Sequence, residues 1–227
     1  LSPSSAASDV YKRQLGDNRE VIGFGGRVLG DGIPKYLNSP ETPIFEKGEN
    51  LYGFYLAKRT RNERIILVEG YMDVISLHQR GITNVVASLG TAMTEAQGRL
   101  LRRSSEQIIL GYDADGAGQE AIVRGLDILR NLGCDVRVLQ ISGAKDPDEY
   151  VTKYGPERLK KCIDDAISLV EFKVRVLKRT LNLDNTADKI KFLNEVAKIL
   201  ARVENSMEQE IYLSLIHISE PTRHLRI

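Results

Sequence analysis

The sequence predicts an α/β fold: a mostly parallel sheet flanked by helices, preceded by a small mixed α+β subdomain and followed by a helical bundle. Three observations support it. Buried-strand patterns alternate with helical patterns after residue 63, a Gly/Pro/Asn/Asp-rich stretch precedes them, and only helical patterns follow Pro156. Strands that alternate with helices favour a parallel sheet, because each crossover helix must cover a sheet face.

The bulk composition allows a packed core and does not by itself indicate a partner. Of 227 residues, 42% are hydrophobic and 28% are charged, which argues against global disorder. The net charge is only +1, so a nucleic-acid partner would require local basic patches. Two cysteines form no zinc-type cluster, and no apolar run is long enough to span a bilayer. We therefore expect a cytoplasmic protein without a membrane segment or a zinc site.

The two ends differ from the rest of the chain. Residues 1–14 are Ser/Ala-rich without periodicity, and residues 214–227 lack a core-forming pattern. Both resemble translated adapter or vector sequence, so we interpret them as non-native tails and set them aside from fold reasoning. Residues 15–62 are rich in glycine and turn residues, which predicts short extended pieces joined by turns.

Regular alternation begins at residue 64. The segments RIILVE, NVVAS, QIILGYD and DVRVLQI read as buried strands, and helical patterns separate them. Gly81 and Gly133 follow the first and third helices as stop signals. Thr94, with Gln97 three residues later, is a capping-box signature for the second helix.

After residue 156 the sequence predicts a bundle. The first long helix carries apolar residues at helical spacing, and the second does too. The predicted core positions are Leu169, Val170, Phe172, Val174, Val176 and Leu177 on the first, and Ile190, Leu193, Val196, Ala197 and Leu200 on the second. A short third helix completes the bundle.

Acidic side chains follow three of the predicted strands. Glu69 ends the first strand, Asp113 and Asp115 end the third, and the segment KDPDEY follows the fourth. In a parallel sheet the carboxyl ends of strands meet at one edge, where sites form. Residues i and i+2 of an extended strand point to the same side, so Asp113 and Asp115 can share one cation. Carboxylate oxygens suit Mg²⁺ that also holds a polyphosphate.

Other interpretations of the D-x-D pair stay open from the residues alone. A single pair also fits an Asx-turn or a helix cap. A Mg²⁺-dependent phosphatase would use Asp113 as nucleophile and Asp115 as acid/base, although Ala117 stands where that family usually has Thr or Val. An EF-hand loop is excluded, because Arg124 occupies the position of its bidentate Glu.

Taken together, VEGYMD, GYDADGAG and KDPDEY resemble the Toprim domain shared by primases, topoisomerases and some nucleases. The upstream block GFGGRVLGDGIPKYLNSPETPIFEKGENLYG resembles the segment before Toprim in bacterial DnaG-type primases. The resemblance covers about residues 16–213. It implies that residues 15–62 belong to the amino-terminal subdomain of the primase core, 63–155 to Toprim and 156–213 to a helical subdomain.

The resemblance implies a DNA-directed RNA polymerase that makes short RNA primers on single-stranded DNA from ribonucleoside triphosphates, with Mg²⁺ or Mn²⁺. It assigns Glu69, Asp113 and Asp115 as catalytic and metal-binding, with Asp146 and Asp148 as further metal-site acids. It assigns Arg27, Lys35 and Lys47 to phosphate binding, and we add Asp73 and Lys145 as supporting residues. Glu69 is either a ligand or a proton acceptor; Asp73 either orients a ligand or favours the helix start.

The resemblance also implies partners and limits. A primase of this type acts at the bacterial replisome and meets the replicative helicase through a carboxyl-terminal domain that we expect to be absent here. The resemblance begins within the core, so we expect the isolated fragment to be weakly active or inactive. A Toprim nuclease or nucleic-acid-binding module is the third alternative, and the YLNSPETPIF block favours the primase over it.

Overall fold

The chain divides into two compact units, Leu1–Ala166 and Ile167–Ile227. The first contains the predicted alternation of strands and helices, and the second is almost entirely helical. The computed structural model describes residues 9–16, 18–28, 36–60, 63–90, 92–112, 125, 127–203 and 206–218.

The first unit begins with an antiparallel sheet of strands β1 (Asp9–Leu15), β2 (Val21–Val28) and β3 (Tyr36–Asn38), in that order. This confirms the predicted extended pieces. The exclusion of residues 9–14 from the predicted fold is wrong, because they form most of β1 and pair along β2. The physical reason is that the backbone N–H and C=O groups along an edge of β2 can form hydrogen bonds with the backbone of an extended segment, whatever its side chains. Their non-native origin stays a prediction.

The second sheet of this unit is parallel, as predicted. Its strands are β4 (Arg64–Val68), β5 (Val85–Ala87), β6 (Gln107–Gly111) and β7 (Asp135–Val138), adjacent in the order β5-β4-β6-β7. Every pair among these strands is parallel. Near-continuous apolar runs fill them because both faces are covered. Residues no more than 2% exposed are Ile65, Ile66, Leu67, Val68, Val85, Val86, Ala87, Ile108, Ile109 and Leu110.

The helices of the first unit begin and end at the predicted signals. Thr94 Oγ1 accepts a hydrogen bond from the Gln97 amide at 3.1 Å, and Gln97 Oε1 accepts one from the Thr94 amide at 3.1 Å. Gly81 and Gly133 adopt φ values of 83° and 76°, at which a residue with a side chain would be strained. The helices are α1 (Phe54–Arg59), α2 (Tyr71–Gln79), α3 (Glu95–Ser104), α4 (Pro147–Tyr154) and α5 (Pro156–Asp164), with a further helical segment at residues 127–131.

One face of the parallel sheet packs against α2, α4 and α5. Ile66 and Ile109 of the sheet share a buried cluster with Leu77, Val151 and Leu159 of these helices. The α5 helix, which the predicted boundary placed in the helical subdomain, therefore contributes to the core of the first unit. Covering this face leaves the two ends of the sheet as the places where loops emerge.

The second unit begins with the two-residue strand β8 (Ile167–Ser168) and continues as helices α6 (Leu169–Thr180), α7 (Thr186–Leu200) and α8 (Ser206–Ile218). The short strand departs from the expectation that only helices follow Pro156. In the part of the chain that the structure describes, no helix is both long enough and apolar enough to cross a membrane.

The predicted core of α7 is right for Val196 and Leu200 and wrong for Ile190 and Leu193, and it omits Phe192. Phe192, Val196 and Leu200 are buried, whereas Ile190 is 56% and Leu193 is 47% exposed. Positions 190, 193 and 197 follow one helical line, and 192, 196 and 200 follow another. Both lines have the helical period, so only packing against α6 selects between them.

Replacing Phe192 by Ala should lower the free energy of unfolding of the second unit by about 3–5 kcal/mol, because it removes a buried ring and leaves a cavity. The neighbouring Leu193→Ala variant removes a half-exposed side chain and should change it by less than about 0.5 kcal/mol. Urea unfolding followed by far-ultraviolet circular dichroism measures both. Equal losses in the two variants would place the core elsewhere.

Candidate active site at the strand ends

The register between β4 and β6 places the strand end at Glu69 beside the strand end that leads to Asp113 and Asp115. Val68 pairs with Gly111, so Glu69 and Tyr112 follow as neighbours at the carboxyl edge. The pKa of Tyr112 lies well above its usual 10.0, first because the phenol is partly buried and second because the Glu69 carboxylate disfavours another anion beside it. Asp113 and Asp115 lie outside the described residues. Their approach to Glu69 stays a prediction, and the pairing supports it.

The KDPDEY segment forms the start of α4. Asp146 is the N-cap residue, and its Oδ1 accepts from the Glu149 amide at 2.7 Å. Glu149 Oε2 accepts from the Lys145 amide at 3.0 Å, and Lys145 Nζ lies 3.8 Å from Asp146 Oδ2. Asp146 thus has a capping function in addition to its predicted function in metal binding. Lys145 contacts this carboxylate, which is compatible with a supporting role.

Asp73 and Asp148 meet although they are far apart in the sequence. The Asp148 amide donates to Asp73 Oδ1 at 3.3 Å. Both residues lie in the first turn of their helices, α2 and α4, where partial positive charge from the backbone favours carboxylates. The contact joins the helix that follows Glu69 to the KDPDEY segment, so two of the three predicted acidic segments are in direct contact.

Tyr71, two residues after Glu69, connects this edge to the antiparallel sheet. Its hydroxyl donates to the Gly26 carbonyl oxygen at 2.9 Å. Its ring meets that of Tyr36 edge-on with centroids 5.4 Å apart, and that of Tyr52 at a tilt with centroids 5.6 Å apart. The Arg27 guanidinium lies 5.6 Å from the centroid of the Tyr36 ring. Arg27, predicted to bind phosphate, is therefore linked through the Tyr36 ring to Tyr71.

This environment alters the acidity of Tyr71. Burial, followed by the neighbouring Tyr36 and Tyr52, raises its pKa to about 12, while Arg27 opposes the shift. The phenol thus stays protonated at neutral pH and keeps its function as a hydrogen-bond donor. From the sequence, Tyr71 is expected only to support the neighbouring acids by packing or hydrogen bonding, and Tyr36 and Tyr52 are not singled out. Their proximity to basic residues in the upstream block was the only available signal.

Lys47 lies in a loop at the same edge of the sheet. After the loop, Tyr52 pairs in an antiparallel bridge with Ala87, the last residue of β5, and β5 is the neighbour of β4. The Gln97 side chain donates to the carbonyl oxygens of Lys47 at 2.8 Å and Asn50 at 2.9 Å. Lys35, the third predicted basic residue, lies outside the described residues.

The donor set at this edge suits a hard cation. Glu69, Asp73, Asp146 and Asp148 all offer carboxylate oxygens, the ligands that Mg²⁺ prefers. Among the residues with described positions, no group of three or more His, Cys, Asp or Glu side chains is close enough to hold a metal. The predicted ligands Asp113 and Asp115 were not part of that set, so the proposed metal site depends on them.

Three family models match successive parts of the chain. Residues 15–58 match the amino-terminal domain of the DNA primase catalytic core, residues 66–151 match a Toprim-like domain, and residues 170–216 match the DnaB-helicase binding domain of primase. The last match contradicts our expectation that a helicase-binding domain is absent from this chain. Similarity to primases of known sequence and structure agrees with the first two.

Among the curated relatives, the DNA primase of Clostridium acetobutylicum is 48% identical over 198 residues, which cover 87% of this chain and 33% of that protein. The DNA primase of Halalkalibacterium halodurans is 46% identical over 198 residues, with 86% and 33% covered. The chain thus spans about a third of the length of these relatives.

Solved structures of primase catalytic cores are also similar to this chain. A DnaG primase catalytic domain bound to single-stranded DNA is 35% identical, with a TM-score of 0.77 over 94% of this chain and 70% of that one. The E. coli primase catalytic core is 37% identical, with a TM-score of 0.76 and coverages of 91% and 67%.

The parallel sheet with acids at its carboxyl edge therefore defines a Toprim-type domain, as the sequence predicted. The antiparallel sheet before it and the helices after it match the surroundings of Toprim in one family in particular. The chain belongs to the DnaG family of bacterial DNA primases and corresponds to part of their catalytic core. These matches do not favour the phosphatase or the nuclease alternative.

Replacing Tyr71 by Phe should lower the free energy of unfolding by about 1 kcal/mol, because the ring contacts remain while the Gly26 carbonyl oxygen loses its donor. Tyr55→Phe is the matched control. The Tyr55 hydroxyl accepts from Arg59 at the surface, and its loss should cost less than about 0.5 kcal/mol. Urea unfolding of both variants tests this. A Tyr71→Phe variant as stable as the unmodified chain would show that this hydrogen bond does not help hold the two sheets together.

Proposed function

We propose that this chain supplies the Toprim domain and its flanking segments to a primase that makes short RNA primers on single-stranded DNA. The observation that carries the proposal is the β4–β6 register, which places the strand end at Glu69 beside the strand end that leads to Asp113 and Asp115. Membership of the DnaG family supports the same reaction class. The isolated chain is expected to be weakly active or inactive.

Glu69, Asp113 and Asp115 are the carboxylates we assign to a divalent cation, Mg²⁺ with Mn²⁺ as a substitute, and Asp146 and Asp148 extend that acidic edge. A bound divalent cation would supply electrostatic stabilisation for the attacking 3′-oxygen and the leaving pyrophosphate. Glu69 serves either as a ligand or as a proton acceptor for the 3′-hydroxyl. Asp73 supports this edge through its contact with the Asp148 amide.

Arg27, Lys35 and Lys47 are assigned to phosphate groups of the template or of the incoming ribonucleoside triphosphate. Arg27 lies in β2 and Lys47 in the loop before Tyr52, so the two cations come from different segments. Fixed cations beside an acidic edge bind phosphates without reading bases, so binding should weaken as salt rises. Acids that hold a divalent cation and basic residues that hold phosphate groups are both needed when a nucleoside triphosphate reacts on a nucleic-acid strand.

The partners of the proposed function are single-stranded DNA, ribonucleoside triphosphates and the replicative helicase. One solved relative is described as bound to single-stranded DNA. The match of residues 170–216 to a helicase-binding domain of primase supports a helicase contact through the second unit. A cytoplasmic location at the bacterial replisome belongs to the same proposal.

The test is a chimaera in which the 198 matched residues of the Clostridium acetobutylicum primase are exchanged for those of this chain. Template-dependent incorporation of labelled ribonucleotides on single-stranded DNA with Mg²⁺ is measured. We expect Glu69→Gln and Asp113→Asn each to lower the rate by about 100-fold or more, the usual cost of losing a transition-state electrostatic contact.

Glu63→Gln is the matched control, because Glu63 precedes the opposite end of the same strand, β4. It makes the same chemical change away from the proposed site and should leave the rate within about twofold. An active parent primase with a silent chimaera would overturn the proposed function. Full activity of Glu69→Gln would remove Glu69 from the catalytic set.

A further inference from the structure

A buried glutamine holds the loop that carries Lys47. The Gln97 side chain is 0% exposed. Its amide nitrogen donates to the carbonyl oxygens of Lys47 and Asn50 at 2.8 and 2.9 Å, and its oxygen accepts from the Thr94 amide at 3.1 Å. A buried side-chain amide is costly unless its donors and acceptor are used, and here they are. The loop and the start of α3 are thus bound together through one side chain.

Thr94 adds a second anchor to the same loop. Its hydroxyl donates to the Gly48 carbonyl oxygen and accepts from the Gln97 amide. Together the two side chains hold three carbonyl oxygens within residues 47–50, a stretch of turns outside the helices and strands. The capping box that the sequence predicted therefore does more than begin a helix. It also fixes the backbone from which Lys47 extends.

A fixed backbone matters for a lysine in particular. The Lys47 side chain is partly exposed, and a lysine ammonium on four rotatable bonds loses considerable conformational entropy when it is held against a ligand. When the backbone is already fixed, binding has to order only the side chain and not the loop as well. The bridge between Tyr52 and Ala87 anchors the chain after this loop at the carboxyl end of β5, next to the strand that ends at Glu69.

We propose that Gln97, assisted by Thr94, is a positioning residue that holds Lys47 at the acidic edge so that its ammonium meets a phosphate group. The inference rests on the proposed function, since it takes Lys47 as a phosphate-binding residue and adds what positions it. The phosphate belongs either to single-stranded DNA or to a nucleoside triphosphate. The two sources share the same chemistry and are separated by the choice of probe.

The experiment compares Gln97→Leu, Lys47→Ala and the double variant in the full 227-residue chain. Leucine keeps most of the buried volume and removes all the side-chain hydrogen bonds. Binding is measured by fluorescence anisotropy with two probes, a labelled single-stranded oligodeoxynucleotide and a labelled ATP with Mg²⁺. For at least one probe, we expect Lys47→Ala to weaken binding about tenfold and Gln97→Leu about three- to tenfold. The double variant should bind no more weakly than Lys47→Ala.

Asn84→Leu is the matched control. Asn84 is also a buried amide, 9% exposed, and it donates to the Arg64 carbonyl oxygen at 2.7 Å at the opposite edge of the sheet. Its replacement should destabilise the fold comparably, as urea unfolding shows, and leave both affinities within about twofold. If Gln97→Leu does not fold, Thr94→Val removes the contact with Gly48 more gently, and Thr94→Ser, which keeps the hydroxyl, should restore the affinity.

Three outcomes overturn the inference and are distinguishable. If Lys47→Ala weakens binding and Gln97→Leu does not, Gln97 is not a positioning residue and the proposed function stands. If the two effects simply add in the double variant, Gln97 does not act through Lys47. If Lys47→Ala changes neither affinity, the assignment of Lys47 to phosphate binding is wrong, and the inference falls with it.

Discussion

The parallel pairing of β4 with β6 is the constraint on which the candidate site depends. Parallel strands send all their carboxyl ends to one edge, and the pairing of Val68 with Gly111 makes Glu69 a neighbour of the strand end that leads to Asp113. The connecting helices then start at that edge, so their amino termini offset part of the repulsion among carboxylates. Asp73 and Asp148 in the first turns of α2 and α4 are the visible result. An acidic edge of this kind is stable only with such compensation or with bound cations.

A few polar contacts tie the segments that carry Arg27 and Lys47 to residues that follow the parallel strands. The Tyr71 hydroxyl bonds to β2, the Asn38 side chain donates to the Leu89 carbonyl oxygen at 3.3 Å, and Gln97 bonds to the loop of Lys47. These contacts join segments 45 to 51 residues apart in the sequence. The antiparallel sheet carries Arg27, and the loop held by Gln97 carries Lys47. Both are residues that we propose to bind phosphate, and they lie on different parts of the first unit.

The second unit is stabilised by a hydrophobic core of its own. Its helices hold a small core of Val170, Phe192, Val196 and Leu200, and the side chains on the other apolar line of α7 stay exposed. The family match assigns residues 170–216 to a helicase-binding domain of primases. A helical unit with its own core can carry a separate binding function, because its stability does not depend on the chemistry of the acidic edge.

Sequence alone determined the alternation of strands and helices, the capping box at Thr94, the stops at Gly81 and Gly133, and the acids that follow the strands. These features depend on backbone geometry over a few residues, which a local pattern can encode. The positions of Asp113 and Asp115 stay predictions, since they lie outside the described residues.

Tertiary structure decided the rest. It selected Phe192 over Ile190 for the core of the second unit, paired residues 9–14 with β2, and joined Gln97 to a loop 47 to 50 residues away. In each case the alternative arrangements fit the local sequence pattern equally well. The choice is settled only when distant segments compete to bury the same surface and to satisfy the same backbone groups.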